Sequence, residues 1–277
     1  MVQLADTAAD TIEASVNYQL DTGETPYTFT GGPGSTEIRQ SATFDTRLVT
    51  LHNGRPEAQD LVLDRHGFRF RRHDTAMRDF FDEAEVHRVY YPEMEALIKE
   101  ETGASRVVVF DHTLRTADDE KREALKIREV VRRVHNDYTE WSGPQRVRDL
   151  LPDEAETLLQ KRFAIVQVWR PINHPVQTFP LTLCDSRSVS TGDFIISERR
   201  YPNRIGQTYA VKYNPAHRWY WFPLMQRDEA LVFKVYDSDK DGRARWTAHT
   251  AFDLTNAPPD ARPRESIEIR TIAFFDN

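Results

Sequence analysis

The chain has 277 residues, of which 39% are apolar and 11% aromatic, enough to bury the core of one domain, and its net charge of −7 disfavours a nucleic-acid partner. Cys184 is the single cysteine, which excludes an internal disulfide and a cysteine-based zinc cluster. The sequence has no basic, apolar leader and no stretch approaching 18 apolar residues, so we expect a cytoplasmic protein that does not contact a membrane.

The first 84 residues are predicted to form an N-terminal extension with strands and a helix, ahead of a β-rich core over about 85–277 in the same single domain. Residues 37–72 carry apolar and charged side chains in alternation on both sides of a turn at HNGRPE, which predicts a hairpin or meander. The cluster TGGPGS at 30–35 predicts a turn, since no Gly-Lys-Ser/Thr follows to make a phosphate-binding loop.

Helical spacing dominates the next segment. Apolar residues over 74–103 recur at helical spacing and are interrupted at Pro92, which predicts two helices. A strand is predicted at 105–115, and the densely charged residues 115–133 predict a solvated helix or a mobile loop. Prolines near two predicted helix starts indicate a helical insert near 141–162.

The second half of the chain is predominantly β-like. Short breaks of Pro, Gly or Asp separate eight apolar runs, which predict an antiparallel sandwich or barrel. The runs are AIVQVWRPI, FPLTLCDS, DFIISERRY, QTYAVKYNP, HRWYWFPLM, ALVFKVYDS, RARWTAHTAFDL and RESIEIRTIAFF. We therefore predict a mainly β fold with flanking helices.

A histidine and an aspartate stand two positions apart in the segment RVHNDYTEW. Positions i and i+2 of a strand point to the same face, so His135 and Asp137 can converge on one point. The pair alone is a weak signal, because nine histidines in an acidic chain produce such a match by chance. A surface ion pair at a strand end is the structural alternative.

His249, in WTAHTAF, offers a third ligand from a late strand, where the small neighbours Ala248 and Thr250 leave room beside it. Two imidazoles and one carboxylate on one face of a metal are the ligand set of non-haem iron(II) oxygenases, in which the open positions serve cosubstrate and dioxygen. A hydrogen-bonded core histidine is the alternative. The three residues are therefore candidate catalytic metal ligands.

The segment RESIEIR places Arg264, Ser266, Glu268 and Arg270 on one strand face. A guanidinium and a hydroxyl can jointly hold a terminal carboxylate, as the C5 carboxylate of 2-oxoglutarate requires. An ion pair between Arg264 and Glu268 is the structural alternative for this arginine.

The order His-x-Asp, distal His and Arg-x-Ser resembles the iron(II)/2-oxoglutarate-dependent oxygenase superfamily, whose core is a double-stranded β-helix of the jelly-roll, cupin-like type. Several segments are similar to the microbial natural-product hydroxylase/desaturase family, which includes gibberellin-desaturase-like and cephamycin-methoxylase-subunit-like proteins. These segments are VHNDYTEW, VWRPI, NPAHRWYWFP, DEALVFKVYDS, AHTAF and RESIEIR. The resemblance covers about 85–275.

The resemblance implies that the three candidate ligands bind Fe(II) and that Arg264 with Ser266 binds 2-oxoglutarate, with Arg270 as the second choice for this clamp. It further implies that Gln167, inward-facing if IVQVW is a central strand, hydrogen-bonds the cosubstrate or a ligand. The family more often has an asparagine at this place.

The implied reaction uses O2 and 2-oxoglutarate to oxidise a small natural-product or amino-acid-like substrate by C–H hydrogen abstraction, giving hydroxylation, desaturation or cyclisation. Tyr138 and Arg170 are the candidate substrate-binding residues. A noncatalytic small-molecule or partner-binding subunit is one alternative, which the intact ligand set disfavours. An iron oxidase that does not use 2-oxoglutarate is the other, which Arg264 and Ser266 disfavour. A homodimer is left open.

Overall fold

Two β-sheets face each other in a computed structural model that describes residues 9–31 and 38–276. Each of the eight predicted runs contains one strand, β8 to β15 below, so that prediction is confirmed. Over the described residues the strands are β1 (Thr11–Gln19), β2 (Tyr27–Thr30), β3 (Ile38–Gln40), β4 (Phe44–Asn53), β5 (Phe68–Arg72), β6 (Arg106–Thr116), β7 (His135–Asn136), β8 (Phe163–Pro171), β9 (Leu181–Cys184), β10 (Phe194–Tyr201), β11 (Arg204–Val211), β12 (Trp219–Trp221), β13 (Glu229–Asp237), β14 (His249–Ala251) and β15 (Glu265–Phe274).

The larger sheet has the order β1-β4-β12-β9-β14-β7-β11-β10-β2-β3, and the smaller sheet has the order β5-β13-β8-β15-β6. Most neighbours are antiparallel, but β4 runs parallel to β12, and β2 runs parallel to β10. The strands of the first 84 residues thus belong to the same two sheets as the later strands.

The hydrophobic core fills the space between the sheets, and a second apolar layer lies under the helices. Along β8, Phe163, Ile165 and Trp169 point between the sheets, whereas Val166 and Val168 pack against the helical layer. Every residue of β8 is buried, which explains why its sequence is a continuous apolar run instead of an alternating one.

Helices cover the outer face of the smaller sheet and one end of the cavity between the sheets. They are α1 (Leu63–His66), α2 (Glu83–Glu85), α3 (Tyr91–Thr102), α4 (Asp119–Leu125), α5 (Ser142–Leu150) and α6 (Ala155–Leu158). The predicted solvated helix within 115–133 is confirmed as α4, and the helical insert is confirmed as α5 and α6. No helix among the described residues has the length and apolar character needed to cross a membrane.

The prediction of two helices broken at Pro92 is wrong. A π turn at Val86–Tyr90 joins α2 directly to α3, so the helical segment is continuous. Proline cannot occupy a regular helix interior without losing a hydrogen bond and clashing with the preceding turn, and a wider π turn before it relieves that conflict. The segment ends as predicted at Gly103, whose φ is 72°.

The hairpin predicted within 37–72 is also wrong, because β4 and β5 lie in different sheets. The short helix α1 separates them, and Gly67 ends it with a φ of 89° that sends the chain across to the smaller sheet. The turn predicted at TGGPGS falls mostly on residues 32–35, which lie outside the described residues.

Gly143 lies at the start of α5 with no space for a side chain. A Cβ at this position would stand 2.6 Å from the Tyr236 ring, which is stacked on Phe163 and cannot retreat. Alanine improves helix propensity by about 1 kcal/mol, but overpacking costs about 1–3 kcal/mol. Three ring atoms of Tyr236 lie at 2.6 to 2.8 Å from that Cβ, which places the overpacking cost in the upper part of this range, at about 2–3 kcal/mol. We therefore expect Gly143→Ala to lower the free energy of unfolding, measured by urea denaturation, by about 1–2 kcal/mol.

Gly192→Ala is the matched control. Its Cβ would meet only the Ser190 hydroxyl, at an ordinary 3.8 Å, so its free energy of unfolding should change by less than about 0.5 kcal/mol. A Gly143→Ala protein as stable as the wild type would show that the Tyr236 ring is mobile.

Candidate metal centre

The early and late histidines meet on adjacent strands of the larger sheet. His135 on β7 and His249 on β14 are direct cross-strand partners, and their ring centroids are 4.3 Å apart. Asp137 lies one residue beyond β7, and its Oδ1 is 3.6 Å from the His135 Nε2. One ligand atom from each of the three residues lies within 4.8 Å of the others, a separation that one metal ion can bridge.

Both imidazoles are held in the tautomer that leaves Nε2 free. The Nδ1 of His135 is 2.9 Å from the carbonyl oxygen of Arg133, and the Nδ1 of His249 is 2.9 Å from that of Thr247. A carbonyl oxygen only accepts hydrogen bonds, so Nδ1 carries the proton in each ring. This arrangement is the usual support of metal-binding histidines, because it fixes the ring and leaves the Nε2 lone pair available.

The Asp137 carboxylate is held through one of its two oxygens. Gln167 Nε2 donates to Oδ2 over 2.6 Å, and Arg270 Nε donates to the same oxygen over 3.3 Å. The other oxygen, Oδ1, is the one beside His135. Gln167 therefore lies against a candidate ligand, and the carboxylate is oriented with one oxygen left for a metal.

Electrostatics favour the protonation states that a metal needs. Burial lowers the pKa of His135 well below its usual value, and the neighbouring His249 adds to this effect. Burial alone would raise the pKa of Asp137, but the Arg270 charge and the hydrogen bond from Gln167 hold it well below its ordinary value. A neutral imidazole beside an ionised carboxylate is a metal-binding donor set, so these residues fit a divalent ion such as Fe(II).

Arg264 and Ser266 lie deep between the sheets with unused donors. Arg264 stacks over Trp169 at 5.3 Å and donates through Nη1 to the carbonyl oxygen of Phe179 at 2.7 Å. Its Nε and the Ser266 hydroxyl are buried without a hydrogen-bond partner among the described residues. Burial, with Arg115 nearby, lowers the pKa of Arg264 to about 9. A buried guanidinium with spare donors is suited to binding an anion.

A cavity of about 20 Å³ lies beside both His249 and Arg264, and it connects the two candidate sites. Ser266 and Glu268 follow on the same face of β15 as Arg264, as the alternation predicts. Glu268 pairs with Arg270 and not with Arg264. The structural alternative for Arg264, an ion pair with Glu268, is therefore absent from the described residues.

Arg270 is not a free clamp. Its guanidinium donates to Asp137, to Asp111 and Thr113, and to Glu268, so four of its five N–H donors are already used. The structure places it as a support of the Asp137 carboxylate, which does not fit the second-choice role in binding 2-oxoglutarate.

The two candidate substrate residues are placed differently. Tyr138 lines a larger cavity of about 680 Å³ that also contains His135 and Asp137. Arg170 lies on the face of β8 that packs against the helical layer, opposite to Gln167. There it is fully buried, stacks over Tyr90 at 5.4 Å and contacts His73. A side chain in the helical layer does not reach either cavity, so the placement of Arg170 does not fit a substrate role.

Arg115 is a site residue that the sequence analysis missed. It lines both the small and the large cavity and donates to the backbone of Glu129. Its position on β6 gives no motif, and only the pairing of β6 with β15 brings it to the site.

A second group of possible ligands lies at the surface among the described residues. Glu83, His87 and His112 offer ligand atoms within 4.8 Å of one another, and Tyr91 contacts His112 at 3.0 Å. Glu83 and His87 are mostly exposed, at 69% and 52% for their side chains. Within residues 9–31 and 38–276, no backbone carbonyl accepts a hydrogen bond from the His87 or His112 ring, in contrast to the buried centre.

Comparison with known proteins gives a consistent result. A family model described as an oxidoreductase/YMDC permease-like domain matches residues 16–274. The alpha-ketoglutarate-dependent dioxygenase phiK, from a fungal species, is 33% identical over 235 residues, which cover 82% of this chain and 84% of phiK. Hydroxylase/desaturase CTB9 of Cercospora beticola is 32% identical over 292 residues, which cover 96% of this chain and 87% of CTB9.

A solved structure also resembles the whole chain. The iron and alpha-ketoglutarate-dependent endoperoxidase NvfI, from Aspergillus novofumigatus, superposes with a TM-score of 0.85 at 28% identity, covering 98% of this chain and all of NvfI. This similarity confirms the predicted double-stranded β-helix.

Proposed function

Because the chain belongs to the iron(II)/2-oxoglutarate-dependent oxygenase superfamily, within its microbial hydroxylase/desaturase family, we propose that His135, Asp137 and His249 hold its ferrous ion. The chain is a dioxygenase that uses Fe(II), 2-oxoglutarate and O2 and acts on a small natural product. The observation that carries the ligand assignment is the pair of imidazoles anchored through Nδ1 on either side of one oriented carboxylate.

Arg264 and Ser266 are the proposed clamp for the C5 carboxylate of 2-oxoglutarate. The guanidinium Nε and the serine hydroxyl are buried donors without partners among the described residues, and an anion would satisfy both. The small cavity next to them has room for about one water, so the surrounding side chains must move apart when the cosubstrate binds. Their role is to orient the 2-oxo acid end toward His249.

When bound, Fe(II) supplies the dioxygen chemistry that couples decarboxylation of 2-oxoglutarate to oxidation of a substrate C–H bond. The protein's own contribution is positional. Gln167 and Arg270 hold Asp137 in place, and Tyr138 forms part of the wall against which the substrate lies. The outcome, which is hydroxylation, desaturation or ring formation, depends on how this wall places the target bond.

The two alternative functions make different predictions from the main one. A noncatalytic subunit needs no oriented ligands, whereas the hydrogen bonds to His135, His249 and Asp137 described above leave one metal-binding atom of each residue free. An iron oxidase without a 2-oxo acid has no use for the unpaired donors at Arg264 and Ser266. A single domain, an intracellular location and a homodimer stay proposals.

The test is an anaerobic reconstitution with Fe(II), followed by exposure to air with and without 2-oxoglutarate. We expect iron-dependent formation of succinate, at a slow uncoupled rate without substrate. Succinate formation that does not depend on iron, or none at all under any condition, would count against the proposal. Oxygen uptake with a candidate natural product but without 2-oxoglutarate would favour the oxidase alternative.

Gln167→Met removes the donor to Asp137 Oδ2 and keeps a side chain of similar volume. Outer-shell partners of this kind change metal affinity or activity by about 10- to 100-fold, so we expect Fe(II) affinity to fall by about that factor. Competition with a coloured chelator measures it. Gln226→Met is the control, because the Gln226 side chain donates to the Leu224 carbonyl oxygen and not to a candidate ligand. Equal Fe(II) affinities of the two variants would contradict the role of Gln167 in supporting Asp137.

A further inference from the structure

The larger cavity beside the candidate metal centre is basic, although the chain is acidic. Seven arginines and three aspartates line it, in a protein whose net charge is −7. Clefts lined by one sign of charge attract ligands of the opposite sign. The distribution of charge therefore carries information about the ligand of this cavity.

Carboxylates of the described residues leave most of this positive charge unpaired. Arg270 forms ion pairs with two of the three aspartates, Asp111 and Asp137. The third, Asp149, accepts a hydrogen bond from Gln145. Six guanidinium groups remain that form no ion pair with a carboxylate within residues 9–31 and 38–276. They are Arg115, Arg128, Arg133, Arg146, Arg199 and Arg204.

Two of these arginines are brought together by the sheet. Arg133 donates through Nη1 to the hydroxyl of Thr28 at 3.2 Å, and Thr28 on β2 is the direct partner of Arg199 on β10. Both side chains line the cavity. Burial, and then repulsion from Arg199, lowers the pKa of Arg133. An anion between the two guanidinium groups turns that repulsion into two charge-assisted pairs.

The rest of the cavity wall suits an apolar molecule. Trp141 and Ile205 line it and are 50% and 55% exposed, and Phe110 and Leu150 lie on the same wall. Large apolar side chains left open beside a cavity mark a binding surface for an apolar body.

We propose that the substrate is a mainly apolar molecule that carries a carboxylate, and that Arg133 and Arg199 bind this carboxylate. The inference rests on the proposed function, since it names the substrate class of the same site. The proposed 2-oxoglutarate clamp at Arg264 and Ser266 is a separate anion site at the start of β15, and Arg264 lines the small cavity and not the larger one.

The experiment compares 1-pyrenebutyrate with its methyl ester, which has the same apolar body without the charge. Binding is followed by fluorescence anisotropy on the purified full chain, once without metal and once with Mn(II) and 2-oxoglutarate. We expect the acid to bind the wild type at least about 10-fold more tightly than the ester. In Arg199→Gln, this preference should fall to about twofold or less.

Arg200→Gln is the matched control. It removes the same charge from the next position of β10, but Arg200 pairs with Glu198, stacks over Tyr27 and does not line the cavity. It should keep the full preference for the acid. A preference lost equally in both variants would overturn the assignment, because overall charge would then explain it.

Three other results would also overturn the inference. The first is a wild type that binds acid and ester equally, and the second is an Arg199→Gln variant that keeps the full preference for the acid. The third is a loss of 2-oxoglutarate binding in Arg199→Gln, which would assign the arginines to the cosubstrate. Titration of Mn(II) and 2-oxoglutarate into the wild type tests the proposed function separately. If the wild type does not bind Mn(II) and 2-oxoglutarate, the proposed function fails, but the comparison of acid and ester in the absence of metal still tests the inference.

Discussion

Replacing His249 by alanine is expected to reduce the iron content of the reconstituted protein from about one ion per chain to near background. The change leaves only His135 and Asp137 to hold the metal. The Nε2 of His249 is available for a metal because Nδ1 is bonded to the Thr247 carbonyl oxygen. Metal analysis after anaerobic reconstitution measures the loss, and succinate formation should disappear with it.

His217→Ala is the control for this variant. The side chain of His217 is also buried and hydrogen-bonded to Tyr18 and Asp193. His217 precedes β12, which β9 separates from β14 in the larger sheet. Losing either imidazole costs stability through the cavity it leaves, so both variants are compared at a temperature where circular dichroism shows them folded. We expect His217→Ala to keep its iron. A His249→Ala protein with wild-type iron content would remove His249 from the ligand set.

The meeting of the three candidate ligands was predictable because two kinds of information combine. The strand period places His135 and Asp137 on one face from local sequence alone. No local rule connects them with His249, which lies more than a hundred residues later, and only the family resemblance did so. The structure adds the reason for their meeting, which is that β7 and β14 are adjacent strands.

The errors arose where pairing over long distances or local strain decides the structure. The alternation in 37–72 correctly indicates strands, but it carries no information on which sheet each strand joins, and β4 and β5 separate. Pro92 is a strong helix-breaking signal, and a π turn that sequence periodicity does not reveal overrides it.

The placement of Arg170 on the outer face of β8 follows from the strand period. Gln167 was predicted to face inward, and a residue three positions later on the same strand must then face outward. The structure has this parity, with Gln167 against Asp137 and Arg170 over Tyr90. The arginines of the larger cavity could not be found in the same way, because they come from four separate segments that only the fold assembles.

Arg264→Met is expected to raise the dissociation constant of 2-oxoglutarate by about 100-fold or more, because charge-assisted hydrogen bonds to a carboxylate contribute about 1.5–3 kcal/mol each. Methionine keeps an apolar stem over Trp169. Binding of Mn(II) should be unchanged, since Arg264 does not contact the ligands. Isothermal titration of 2-oxoglutarate into the Mn(II)-loaded protein measures the effect. Arg170→Met, which removes a buried arginine from the helical layer, should leave this constant unchanged.

The stability of Arg264→Met separates a binding role from a structural one. Removing one partner of a buried ion pair costs about 3–5 kcal/mol, but the Arg264 guanidinium has no carboxylate partner among the described residues and donates only to the Phe179 carbonyl oxygen. Losing that hydrogen bond costs about 1 kcal/mol, and removing a buried unpaired charge offsets it. The free energy of unfolding without 2-oxoglutarate should therefore stay within about 1 kcal/mol of the wild type.

Cosubstrate should then act on the two proteins differently. At 100 times its dissociation constant, 2-oxoglutarate stabilises a protein that binds it by about 2.7 kcal/mol, and we expect this gain with Mn(II) in the wild type and little of it in Arg264→Met. A variant that loses several kcal/mol without ligand, yet keeps the gain, would make Arg264 a structural residue. A variant that keeps its stability without ligand and loses the gain from 2-oxoglutarate means that the fold carries a buried charge at this position because the cosubstrate neutralises it.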